Sequence, residues 1–206
     1  LVHIHFAEKQ EFADIETDTF NLDPVAVERK ITSRTRAIIV TDIFGHGAKL
    51  DAILELASRY RLKVIEDAAQ APGAKYKGKY VGTWADIGVY SLNYHKHIHT
   101  GEGGVCVTRD SALAERMQLI RNHGEAVVEG KGVTDLSNII GFNFRMGEIE
   151  AAIGLEQLKK LPKIAQQWSR LGARLSASLE GLTGLKTPKV AAESSHVYYV
   201  YSLILD

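Results

Sequence analysis

Three short stretches of this 206-residue chain carry residue types that could do chemistry together. The first is Val64-Ile65-Glu66-Asp67-Ala68-Ala69-Gln70, where an acid is followed by two small residues that let a flat group approach the backbone. The second is Ser91-Leu92-Asn93-Tyr94-His95-Lys96. The third follows at once: the glycine-rich turn Thr100-Gly101-Glu102-Gly103-Gly104. A lysine amine attacks an aldehyde only when unprotonated, and burial or nearby positive charge moves its pKa toward that state. Singly, each piece has an ordinary reading. Asp67 caps a turn, Lys96 is a surface lysine, and the glycines make a turn. The glycine run precedes a strand-like stretch, so it is not a dinucleotide fingerprint, which needs a helix after it.

The elements that must position these residues alternate along the chain. Residues 37–44, 63–67, 87–92 and 104–108 are short apolar, β-branched runs and predict buried strands. Residues 50–60 place Leu50, Ile53, Leu54, Leu56 and Ala57 at helical spacing, and 111–121 do the same with Leu113, Met117 and Ile120. This rhythm predicts an α/β domain, a three-layer α/β/α sandwich on a mostly parallel sheet. Ligands bind at the carboxyl ends of strands in such sheets, where Asp67 and the Lys96 segment fall. A surface loop is expected over 124–138, a long helix over 145–182 broken or kinked at Pro162, and a loop over 184–195. Residues 197–205 predict a strand opening a small α+β domain. The expected division is a large domain over 1–182 and the start of a second over 183–206.

Together the motifs resemble the DegT/StrS family of sugar aminotransferases. The lysine segment through Gly104 resembles Ser-Phe-His-Pro-x-Lys-x-Ile-Thr-Thr-Gly-Glu-Gly-Gly. The stretch 64–70 matches a second motif. Gly141-Phe142-Asn143-Phe144-Arg145-Met146, with Glu148-Ile149-Glu150-Ala151-Ala152 after it, is similar to a third, Gly-Tyr-Asn-Tyr-Arg-Met. Phe12-Ala13-Asp14-Ile15 and Asn21-Leu22-Asp23-Pro24 follow the family's entry into this domain. The resemblance covers nearly the whole chain.

The resemblance implies the large domain of the fold-type-I enzymes and pyridoxal 5'-phosphate (PLP) as cofactor. It makes Lys96 the Schiff-base lysine and Asp67 the acid facing the pyridine nitrogen, which keeps the ring an electron sink. It places Gln70 near the ring oxygen and Ser91 on the phosphate. Asn143 would reach the partner's phosphate across a homodimer with shared active sites. Arg145 is a substrate candidate, and His46, between Gly45 and Gly47, stands evenly between lining the pocket and supporting structure. The implied reaction moves an amino group from L-glutamate or glutamine to a keto sugar, a nucleotide-linked 4-keto-6-deoxy or 3-keto sugar. Asn93 and Tyr94 replace the family's His-Pro pair; Asn93 still offers a hydrogen bond. Relatives with His in place of the lysine are dehydratases, and Lys96 favours transamination. The family also carries an earlier segment of roughly a hundred residues with a Ser-Gly-Thr phosphate motif. The chain lacks that motif, starts without Met and stops in a strand-like run, so both ends are expected to continue.

Other readings remain beside this one. His95, His97 and His99 alternate, and on a strand they would share a face as a zinc or nickel site, but no carboxylate or cysteine stands at ligand spacing. His123, ahead of Gly124, reads as a helix-end residue more than a catalytic one. An inactive regulatory or scaffold relative and a PLP-dependent sugar dehydratase are the functional alternatives. Lys and Arg number 25 and so do Asp and Glu, scattered rather than clustered, which argues against nucleic acid as a partner. No stretch approaches the ~18 apolar residues of a membrane helix, and no signal-peptide pattern opens the chain. Cytoplasmic residence is the expectation. Cys106, the single cysteine, sits in an apolar run and reads as a buried core residue that fits a reducing compartment.

Overall fold

The computed structural model describes residues 9–125 and 139–205. Most of the expected 124–138 loop lies outside the described residues. Helix α1 (Pro24–Lys30) starts on the Asp23 cap, whose side chain accepts from the Val25 amide, with proline in the first turn. Strand β1 (Ala37–Thr41) follows, then a 3-10 turn over Ile43–Gly45 and helix α2 (Leu50–Tyr60). Strand β2 is Lys63–Asp67, β3 (Lys75–Tyr76) and β4 (Lys79–Tyr80) form a small hairpin, and β5 is Ile87–Ser91. Strand β6 (Gly104–Val107) leads to α3 (Ser111–Arg121), capped by Asp110. Helix α4 (Glu148–Leu179), β7 (Leu185–Lys186) and β8 (Ile204–Leu205) complete the chain.

The main sheet runs β1-β2-β5-β6. The first three strands are parallel, and β6 is antiparallel to β5. Side chains alternate across the sheet, so register sorts them into two faces. Val40 pairs with Glu66, which pairs with Gly88, and these share the face packed by α2. Val40, Leu50, Ile53, Val64 and Val81 are at most 1% exposed there. Thr41, Asp67 and Val89 align on the opposite face. That face is more open: Ile39 is 51% exposed.

Three expectations need correction. Cys106 is exposed rather than buried, because β6 is the outer strand and three of its four residues face out. Its thiol still meets enough protein for burial to push its pKa up. Pro162 does not end the long helix, and α4 passes through it as one element of 32 residues. Contacts on both sides of the proline explain this: Gly154 lies against Thr100 before it, and Trp168 against His97 after it. The strand expected over 197–205 shrinks to Ile204–Leu205, paired with Leu185–Lys186. Tyr198 takes a left-handed φ of 50°, which interrupts an extended path. Residues 194–200 instead dock on earlier parts of the chain, where Ser194 bridges Tyr76, His196 bridges His46, and Val197 joins the core.

Candidate active site

The site forms at the carboxyl ends of β2 and β5. Asp67 ends β2 half-buried, and its Oδ1 accepts from the Ala69 amide at 3.0 Å. Ser91 ends β5. Asp67 is level with Val89, and Ser91 lies two residues further on, so both side chains project from one face. The spacing of neighbouring strands and the rise of two residues separate their Cα positions by about 8 Å.

The chain then turns back on itself through a closed loop. Leu92 N–H donates to Gly103 O at 2.8 Å and Thr100 N–H to Leu92 O at 3.0 Å. Gly101 and Gly103 have φ of 87° and 156°, and a Cβ at Gly103 would stand 2.8 Å from Thr100 Oγ1. The glycines are therefore required by the turn. Within it, Asn93 donates through Nδ2 to both Glu102 oxygens at 2.8 and 3.0 Å. Its Oδ1 accepts from the His95 amide at 3.1 Å, and its own N–H donates to Ser91 Oγ at 3.2 Å. Asn93 thus ties the end of β5 to the glycine turn. Lys96 N–H closes onto Asn93 O at 2.9 Å, and Lys96 Nζ lies 4.3 Å from the centre of the Tyr199 ring.

The three alternating histidines fan apart. His95 is exposed and stacks on Tyr94, His99 is exposed, and His97 is buried against Trp168. Among the described residues no group of three His, Cys, Asp or Glu side chains is placed to hold a metal. His97 Nε2 faces the Val197 carbonyl at 2.8 Å, so it carries the proton, and burial holds the ring's pKa down. Gln70 Oε1 accepts from the Phe44 amide at 2.7 Å and fixes the 3-10 turn beside the site. His46 is 2% exposed, with Ala191 N–H donating to Nε2 and the Asn21 amide 3.0 Å from Nδ1. It is built into the wall rather than open to a ligand. His123 has a left-handed φ of 62° and donates its N–H to Phe142 O at 2.9 Å, joining the end of α3 to the Asn143 segment. Asn143 is exposed on that segment and bridges Asn122, and Arg145 donates to Asn122 Oδ1 at 2.7 Å.

Several residues that shape the site escape a reading of the sequence. Asp42 and Glu66 are both fully buried on the face opposite Asp67. Glu66 accepts from the amides of Gly82, Trp84 and Ala85. Asp42 Oδ1 accepts from Ala48 N–H, while Asp42 Oδ2 has no donor. Burial first, then the Glu66 charge, raises the Asp42 carboxyl well above the usual range, and burial also raises Glu66. Strict alternation from Asp67 does place Glu66 on the far face, and that signal was available. Nothing in the local pattern places Tyr199 against Lys96, or Trp168 against His97.

The family model for the DegT/DnrJ/EryC1/StrS aminotransferases matches residues 3–206. The chain belongs to this family. A GDP-perosamine synthase from Caulobacter vibrioides is 39% identical over 193 residues, covering 93% of this chain and 51% of that protein. The crystal structure of Streptomyces venezuelae DesV in complex with a ketimine intermediate superposes with a TM-score of 0.85 at 35% identity. That match covers 93% of this chain and 50% of DesV. The E. coli GDP-4-keto-6-deoxy-D-mannose-3-dehydratase with bound hydrated PLP superposes with a TM-score of 0.83 at 27% identity, covering 95% and 53%. The chain therefore spans about half the length of these relatives, and it has the fold-type-I architecture of the family.

The donor set suits pyridoxal phosphate. A carboxylate and a hydroxyl project from one sheet face at neighbouring strand ends, about 8 Å apart between Cα positions, a separation comparable to the span of that molecule from ring nitrogen to phosphate, and Lys96 lies on the loop that leaves the Ser91 strand. Lys96, Asp67, Ser91 and Asn93 are the residues that could hold it, with Gln70 fixing the adjoining wall.

Proposed function

We propose that this chain forms the cofactor-holding part of a PLP-dependent aminotransferase that moves an amino group from L-glutamate or glutamine to a keto sugar. The acceptor is a nucleotide-linked 4-keto-6-deoxy or 3-keto sugar, and the enzyme works in the cytoplasm as a homodimer with shared active sites. The observation that carries the reading is the placement of Asp67 and Ser91 on one sheet face, with the closed Lys96 loop leaving directly from the Ser91 strand end. The sugar class is supported by the names of relatives, the GDP-perosamine synthase among them. Residues 183–206 are read as the start of a second domain.

When bound, pyridoxal phosphate supplies an aldehyde that takes up amino groups and a ring that accepts electrons. Lys96 Nζ would anchor it and, as a free amine, would accept and return a proton at that nitrogen. Asp67 would hold a proton on the ring nitrogen, and Ser91 Oγ would bind the phosphate. Asn93 keeps the Ser91 end and the glycine turn in one geometry. Asn143, exposed on its segment, is offered to the phosphate of a second copy. Arg145 remains the substrate-facing candidate, whereas His46 is enclosed and takes no substrate role in this reading. Lysine at position 96 favours transamination over dehydration.

The test is a visible absorption spectrum of the full-length protein with added PLP, followed by borohydride reduction and peptide mapping. A band that fades with glutamate, with the label on Lys96, is the expected result. No band, or a label elsewhere, refutes the reading.

A further inference from the structure

We propose that Tyr199 is a positioning residue for Lys96, its ring face seating the lysine amine beside the strand ends that carry Asp67 and Ser91. The inference rests on the reading of Lys96 as the reactive amine. Lys96 Nζ is 4.3 Å from the Tyr199 ring centre, inside the ~6 Å range over which a ring face attracts an ammonium group. A ring suits this purpose. A carboxylate partner would hold the amine as an ion pair and oppose its movement, whereas a ring face attracts the charge and releases it easily.

The ring is not there by chance of a loose terminus. Val197 N–H donates to Gly45 O at 2.9 Å and Val200 N–H to Phe44 O at 3.4 Å, so the backbone on both sides of Tyr199 is stitched to the 3-10 turn beside the site. The left-handed turn at Tyr198 lets that residue stack on His196 with ring centres 3.9 Å apart, against Gly172 of α4. His97, the residue after the lysine, donates to Val197 O at 2.8 Å and lies between Trp168 and Tyr199, with ring centres 4.4 and 6.1 Å away. One cluster therefore fixes both the lysine's own backbone and the ring that receives its side chain. Tyr199 comes from the part of the sequence furthest from the lysine motif, and only the docking of residues 194–200 brings it in.

The experiment is competitive acetylation of the full-length protein, prepared free of PLP, with Lys160 on the exposed side of α4 as reference. Loss of a ring–ammonium contact in Tyr199→Ala should speed labelling of Lys96 about two- to fivefold relative to Lys160. Tyr199→Phe, which keeps the ring face, should label like the parent. Thermal unfolding of each variant accompanies the labelling, and Tyr199→Leu replaces the alanine variant if that one does not fold. An unchanged rate in the non-aromatic variant, or a phenylalanine variant that behaves like it, overturns the proposal. Adding PLP separates this from the functional reading: Lys96 should be protected in every variant that folds, and a failure of protection in the parent refutes the cofactor assignment whatever the ring comparison gives.

Discussion

Asp67 and Ser91 project from the same face of the sheet, on neighbouring parallel strands, because Asp67 pairs with Val89 and Ser91 follows Val89 by two residues. The period of two along a strand makes the pair inseparable: a slip of one residue in β5 would turn Ser91 to the α2 side. The proposed contacts to the two ends of the cofactor therefore depend on one register.

The proposed role of Asp67 leads to the first expectation. Asp67→Asn keeps the hydrogen-bond acceptor for the Ala69 amide, so the fold should stay intact by circular dichroism. The charge facing the ring nitrogen is lost. Turnover with glutamate should fall by about a hundredfold or more, the scale seen when one electrostatic partner of a reacting group is removed. Parent-like turnover would remove Asp67 from the site.

Lys96→Ala should abolish both the absorption band with PLP and the borohydride-trapped label, with unfolding by urea little changed. The side chain is only half-buried and sits on one ring face, so its deletion leaves no sealed cavity. Trapping at Lys63, Lys75 or another lysine in this variant would assign the anchor wrongly.

Asp42 and Glu66 predict a pH dependence of stability. Their folded pKa values are raised, by burial before all else. An acid raised in the folded state contributes most below its unfolded pKa, about 4, and that stability is lost as pH climbs toward the folded value. Tyr90, on the same face and pushed up to about 12 by burial and then by these two acids, stays neutral throughout. Urea unfolding between pH 4.5 and 8 should show stability falling with pH. Asp42→Asn should flatten that slope by up to about 1.4 kcal/mol per pH unit. Equal slopes in both proteins would mean that Asp42 binds no extra proton on folding.

Gly88 marks the tightest packing behind the site. A methyl group there would run into the Gly82 carbonyl, and Gly82 N–H donates to Glu66 Oε1 at 2.5 Å. Gly88→Ala should therefore cost about 1–3 kcal/mol in urea unfolding, the usual range for overpacking. It should also disturb the cofactor band, because Gly88 lies in the strand that carries Ser91. A variant as stable as the parent would show that the 82–85 loop yields freely.

Much of this molecule was legible in its sequence. The β-branched runs and helical periodicities located β1, β2, β5, β6, α2 and α3 closely, since each element's own residues set its hydrophobic period. Glycines 101 and 103 announced a turn that only glycine can make. The lysine motif, the Asp67 motif and the Asn143 motif led to the family that the comparisons then established. What the local pattern could not carry was decided by tertiary contact. Cys106 reads as apolar core but lies on an outer strand, and a strand's place in the sheet order is not written in its own alternation. Pro162 reads as a break, yet α4 continues because Gly73, His97 and Tyr198 hold it from outside. Residues 197–205 read as strand, but docking onto Phe44 and Gly45 and the turn at Tyr198 leave only Ile204–Leu205 paired. The sequence by itself determined which residues could do the chemistry. The meeting of Lys96 with Tyr199, and of Asp42 with Glu66, was left to long-range packing, because Asp42 and Glu66 become neighbours only when the register of β1 on β2 is set, and Tyr199 reaches Lys96 only when residues 194–200 dock.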